Sequence, residues 1–164
     1  AMADNGKLYS GFDEDYVRAI GSLAGKADII LPNVTEAAIL SGLPYQENID
    51  KNYVNQLLNG LNHPCAVLTG VDFDEDSTGI VLQEGTVQHE YRHKRIGTGC
   101  HGTGDIFAAV FTGALMQGKN RLDAAKIAAD FTCRCIKNTV NAPAHWYGVK
   151  FEPLLPELME MLGQ

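Results

Sequence analysis

Asp105 ends a glycine-spaced run, Ile96-Gly-Thr-Gly-Cys-His-Gly-Thr-Gly-Asp-Ile-Phe107, that feeds an apolar, helix-like stretch from Ile106 to Met116. A glycine-rich turn opening a helix leaves backbone N–H groups pointing outward, and the helix dipole adds partial positive charge at the same place. That combination makes an anion site, with phosphate as the usual guest. A carboxylate beside a phosphate is electrostatically costly and needs a reason. One reason is general-base duty on a hydroxyl that attacks a phosphoryl group. The alternative is that Thr103 or Asp105 simply caps the helix.

Two more spots could share that chemistry. Asn33-Val-Thr-Glu36 follows a short apolar run, Ala27 to Leu31, and Thr69-Gly70 follows another, Cys65 to Thr69. Both runs read as buried parallel strands, and open α/β sheets bind ligands beyond the carboxyl ends of their strands. Asn33 and Glu36 could hold Mg²⁺ mostly through water, because that ion prefers oxygen and keeps its hydration shell. The same spacing is also a helix-opening capping box. Thr69 could donate its hydroxyl to a phosphate, or could simply suit a strand end.

The elements that must position these residues follow from periodicity. Helices are expected over Asp13–Lys26, with Tyr16, Val17, Ile20, Leu23 and Ala24 inward and Ser10 with Asp13 as a capping box. Another runs from Asn33 through Ser41, closed by Gly42, and a third follows Asp50, with Tyr53, Val54, Leu57, Leu58 and Leu61 inward. Thr78–Gln83 and Thr86–Arg95 flank Glu84-Gly85 as a hairpin. Two helices come next, the first ending near Gly118 and the second running from Arg121 to about Thr139. Pro143 and Pro153 break the tail before a short helix, Leu154–Leu162. Asp4-Asn5-Gly6 is a turn signal, Asp72–Asp76 a solvated acidic loop, and Ala1-Met2 reads as a cleavage scar before a start methionine.

The order of elements implies an α/β layer with a mixed sheet, in a single domain spanning residues 1–164. The chain is 45% apolar and 20% charged, with a net charge of −7. Nucleic acid and anionic membrane surfaces are therefore unexpected partners, and no run is long enough to span a bilayer. Cys65, Cys100, Cys133 and Cys135 form no Cys-x-x-Cys pair, which fits a reducing cytoplasm. Cys133 and Cys135 are two apart on a helix and make a poor metal clip. Two short central strands are too few for so many amphipathic helices, so part of a sheet is expected to be missing or supplied by a second copy.

Leu31-Pro-Asn-Val-Thr-Glu-Ala-Ala-Ile-Leu-Ser-Gly42, together with His101-Gly-Thr-Gly-Asp-Ile-Phe-Ala-Ala109, resembles the ribokinase-like superfamily. Within it the chain is most similar to bacterial pyridoxal/pyridoxine kinases, and next to hydroxymethylpyrimidine and phosphomethylpyrimidine kinases. The resemblance implies a three-layer α/β/α fold with a mixed, mainly parallel sheet, and an ATP- and Mg²⁺-dependent transfer to the hydroxymethyl group of a small vitamin-like alcohol. It implies Asp105 as the base, and Gly102, Thr103 and Gly104 as the anion hole. Asn33 and Glu36 would be the Mg²⁺–ATP motif, Thr69 and Gly70 a phosphate contact, and Asp4 an acidic position near metal and phosphates. Cys100 matches a lid cysteine that in some relatives adds to an aldehyde; it could equally fill space in a loop. The family's N-terminal part, including an Asp-Pro that would precede Ala1, is not in the sequence. The chain therefore resembles the ATP-binding C-terminal half of such a kinase, with an inactive fragment that binds nucleotide or only self-associates as the alternative, and a homodimer or higher oligomer is expected.

Overall fold

The computed structural model describes residues 1–97, 100–140, 142 and 148–163. Part of the glycine-rich run, at Thr98-Gly99, and the expected break at Pro143 lie outside the described residues. The chain divides into two compact units, Ala1–Arg92 and His93–Gln164.

The first unit opens with a miniature hairpin, β1 (Ala3–Asp4) and β2 (Lys7–Leu8), paired antiparallel. The expected turn at Asn5-Gly6 joins them, with φ of 49° and 74° at its two residues. Helix α1 (Glu14–Ala24) starts one residue after its cap. Asp13 itself is the N-cap, its carboxylate accepting the Tyr16 N–H, so the expected Ser10–Asp13 box does not form. Phe12 stacks on Tyr16 and fixes the entry of the chain. The apolar stripe of α1 is only half covered, and Leu23 is 65% exposed. Helices α2 (Val34–Ser41) and α3 (Lys51–Leu61) begin at Asn33 and Asp50 as expected, and Gly42 closes α2 in the left-handed conformation.

Strands β3 (Cys65–Asp72), β4 (Ser77–Glu84) and β5 (Val87–Lys94) form a sheet in that order. Its core side packs Leu68, Val71 and Val81 against Ala37, Leu57 and Leu58. Strand β3 runs past Gly70 through a register shift, so the expected stop is a bulge instead. The hairpin loop is Gly85-Thr86, one residue later than expected. Glu84 still pairs with Cys65, and the Gly85 N–H donates to the Pro64 carbonyl. At Gly79 the β5 backbone passes so close that a Cβ would lie 2.0 Å from the Tyr91 carbonyl oxygen.

The expected strand at Ala27–Leu31 is reduced to two parallel bridges, Ile30 to Ala66 and Asn33 to Thr69. The reason is Pro32. The Ile30 N–H donates to Cys65, and the Val67 and Thr69 N–H groups donate to Ile30 and Pro32. The bond that should continue this ladder needs an N–H at residue 32, which proline lacks. Parallel pairing on one side of β3 and antiparallel pairing on the other make the sheet mixed.

The second unit packs α4 (Thr103–Met116) against α5 (Arg121–Val140). Phe107, Val110, Phe111 and Ala114 of α4 are buried, as are Ala124, Ala125, Ala128 and Ala129 of α5. The small side chains of α5 allow close approach. A single 3₁₀ turn, Glu152–Leu154, leads into α6 (Leu155–Leu162), where Glu157 pairs with Arg134 of α5.

Candidate active site

The sequence-derived site residues fall into two groups, one on each unit. On the first unit the start of α2 gathers Asn33 and Glu36, the bulge in β3 holds Thr69 and Gly70, and Asp4 ends β1 at the hairpin turn. The capping box is complete. Asn33 Oδ1 accepts the Glu36 N–H at 2.8 Å, and Glu36 Oε2 accepts the Asn33 N–H at 3.0 Å. The pair does more than cap. Glu36 Oε1 accepts the Met2 N–H at 2.7 Å, and Asn33 Nδ2 donates to the Ala3 carbonyl at 2.8 Å. Both side chains therefore tie the first hairpin to α2, and Glu36 is only 9% exposed.

Both Glu36 oxygens accept backbone N–H groups, and among the described residues no cluster of three or more His, Cys, Asp or Glu could hold a metal directly, so a cation here would have to be held through water. A donor set of carboxylate and amide oxygens suits Mg²⁺ held through water. Asp4 is exposed, and its two oxygens accept from the Asn5 N–H at 2.9 Å and Asn5 Nδ2 at 3.2 Å.

Thr69 stands opposite Asn33 across the parallel bridge. Its hydroxyl donates to the Pro32 carbonyl at 3.3 Å. That bond turns the proton inward, which weakens the reading of Thr69 as a hydroxyl donor to phosphate. Gly70 is exposed with φ of 65°, and a Cβ there would meet nothing within 4 Å. A ligand could approach that backbone closely.

On the second unit, Gly102 is the N-cap of α4 with φ of 83° and no side-chain cap bond. Helix α4 starts at Thr103, three residues earlier than the apolar pattern suggests. Neither Thr103 nor Asp105 caps it. The first bond of this helix runs from the Ile106 N–H to the Gly102 carbonyl at 3.0 Å. The N–H groups of Thr103, Gly104 and Asp105 are therefore left unclaimed by the helix. Gly104 faces open space, and Asp105 is exposed in the first turn. The arrangement is an uncapped first turn of main-chain donors whose third residue is the exposed Asp105. Cys100, just ahead of it, is a half-buried free thiol.

Residues 4–149 match the model of the phosphomethylpyrimidine kinase family. The chain belongs to that family. A curated relative, the hydroxymethylpyrimidine/phosphomethylpyrimidine kinase of Bacillus subtilis, is 28% identical over 130 residues, covering 78% of this chain and 48% of its own length. The crystal structure of pyridoxal kinase from Lactobacillus plantarum is 33% identical with a TM-score of 0.84, over 98% of this chain and 59% of that one. A provisionally assigned phosphomethylpyrimidine kinase from Bacteroides thetaiotaomicron, solved in a form with pyridoxal, is 29% identical with a TM-score of 0.84, over 99% of this chain and 58% of that one. The ribokinase-like α/β fold implied by the sequence is thus the fold of this chain. The chain spans about half the length of the curated relatives it matches.

Two residues on the first unit were not anticipated. Thr35 Oγ1 accepts the Gly6 N–H at 3.0 Å, and the Tyr45 ring lies where a Gly6 Cβ would go, 2.7 Å away. Tyr45 has its phenol pushed up by burial, then by Glu47, Asp4 and Asp72. No spacing rule marks either residue; only the fold brings them to the turn.

Proposed function

We propose that this chain supplies the nucleotide-handling part of an ATP-dependent kinase acting on the hydroxymethyl group of a B6 vitamer. The observation that carries the reading is the uncapped first turn of α4. It offers three unclaimed N–H groups to developing phosphoryl charge, with the Asp105 carboxylate in the same turn to take the acceptor's proton. Thr103, Gly104 and Asp105 present these N–H groups to the transferring group, and Gly102, which the resemblance adds to the anion hole, sets the turn ahead of them. Asn33 and Glu36 would hold the waters of a nucleotide-bound Mg²⁺, which would supply charge to offset that of the phosphates. Asp4 would add a carboxylate from the β1–β2 turn, and Gly70 would allow phosphate to approach its backbone.

Pyridoxal as acceptor is supported by the likeness to the Lactobacillus plantarum enzyme and to the structure solved with pyridoxal. A second reading, transfer to hydroxymethylpyrimidine or its phosphate, is supported by the family model and by the curated relatives. Both acceptors present a hydroxymethyl group on a flat nitrogen heterocycle, so the same base serves either. On the B6 reading, Cys100 meets the substrate aldehyde as a reversible hemithioacetal: sulfur bonds to the carbonyl carbon, and the thiol proton ends on the oxygen.

The test is Asp105→Asn with both acceptors in one coupled assay. Transfer should fall by roughly 10²- to 10⁴-fold while Mg²⁺·ATP affinity is retained. Undiminished turnover by the variant would remove Asp105 from the reaction.

A further inference from the structure

The hairpin β1–β2 is too short to hold itself. Each strand has two residues, and two antiparallel pairs of this kind have little stability alone. Its shape is imposed by α2. Glu36 holds the Met2 N–H, Asn33 holds the Ala3 carbonyl, and Thr35 holds the Gly6 N–H. Thr35 is 3% exposed, and nothing in its own helix requires a hydroxyl there. On its other face the turn rests on the Tyr45 ring. The Asp4 carboxylate is locked to Asn5 inside that same turn.

We propose that Thr35 is a positioning residue: its hydroxyl fixes the β1–β2 turn, and the turn fixes the Asp4 carboxylate for a divalent cation on the nucleotide. The second half of this statement rests on the kinase reading; the first does not. Thr35 is 3% exposed, and its hydroxyl oxygen is engaged by the Gly6 N–H, so its role runs through the turn. Its effect passes through one hydrogen bond to the Gly6 amide, two positions after Asp4 in the same turn, so removal should disturb the metal-dependent part of binding and leave metal-free binding alone.

Thr35→Val keeps the shape of the side chain and removes the acceptor. Hydrogen exchange over residues 2–9 should become about tenfold faster, the scale of one lost hydrogen bond. Calorimetry with ATP should show Mg²⁺-dependent affinity weakened about three- to tenfold and Mg²⁺-free affinity unchanged, and Thr35→Ser should restore both readouts. Unchanged exchange in Thr35→Val overturns the clasp. Faster exchange with unaltered Mg²⁺ dependence, or failure of Thr35→Ser to rescue, overturns the link to Asp4. Should Thr35→Val not fold, the Gly6 amide of the unaltered chain decides the clasp: protection in NMR exchange supports it and fast exchange overturns it. If the unaltered chain shows no Mg²⁺·ATP binding, the kinase reading fails and the link to the cation fails with it, while the exchange comparison still judges the clasp.

Discussion

Glu36 reaches back 34 positions to accept the Met2 N–H at 2.7 Å, while its other oxygen accepts the Asn33 N–H at 3.0 Å. One carboxylate thereby closes a helix cap and anchors the start of the chain. Two donors depend on it, the Met2 N–H buried and the Asn33 N–H half-buried. In Glu36→Ala both lose their acceptor, and each unsatisfied group costs about 1–3 kcal/mol. We expect a loss of about 2–4 kcal/mol in urea unfolding. Glu36→Gln should lose less, because one acceptor oxygen survives. A change below about 0.5 kcal/mol for the alanine variant would mean that these bonds do not form in solution.

The glycines at the head of α4 should separate stability from activity. Gly104 is helical, and a Cβ there meets nothing within 4 Å. Gly104→Ala should therefore stabilise the second unit by up to about 1 kcal/mol. The added methyl would also stand over the N–H cradle, so phosphoryl transfer should fall. Gly102→Ala should lose stability by about 1 kcal/mol, because φ of 83° disfavours a Cβ. Thermal melts and a transfer assay on the two variants check the pattern; a Gly104→Ala protein with full activity would argue against the cradle.

Stability should fall away on both sides of neutral pH. Burial lowers the pKa of His93 from its usual 6.5; Asp130, 3.8 Å away, opposes the shift and Lys137 adds to it. As pH drops below 6.5 the unfolded chain takes up the proton first, so stability declines until the folded His93 also titrates. Burial pushes the Cys135 thiol up to about 11, and Cys133, Tyr45 and Tyr53 shift the same way. Above pH 9 for the thiols, and above 10 for the phenols, the unfolded chain loses protons first and stability declines again. His93→Gln should flatten the acid limb, and Cys135→Ala the alkaline one, in denaturant titrations across pH.

Self-association should accompany the half-covered face of α1. Met2, Ile20, Leu23, Leu31 and Leu40 line an apolar cavity of about 290 Å³. Apolar surface of this kind favours association. We expect a dimer or larger species at micromolar concentration in a sedimentation run, shifted toward monomer by Leu23→Lys. A clean monomer for the unaltered chain would overturn this expectation.

The sequence by itself determined the local pieces. Asn33 with Glu36, Asp50 before α3, Gly42 after α2 and the Asn5-Gly6 turn were all legible, because caps and tight turns are set by residues within four positions of one another. It also marked the cradle, since a glycine run into an apolar helix is a local feature. The tertiary structure decided what those pieces hold. That Glu36 reaches Met2, that Thr35 reaches Gly6 and that Thr69 turns its hydroxyl to Pro32 depend on contacts 29 to 37 residues apart. No periodicity encodes such pairings, because they arise only when helix, hairpin and strand are packed together. Pro32 shows the same division: its missing N–H is visible in the sequence, but only its place opposite β3 reveals which ladder bond is lost.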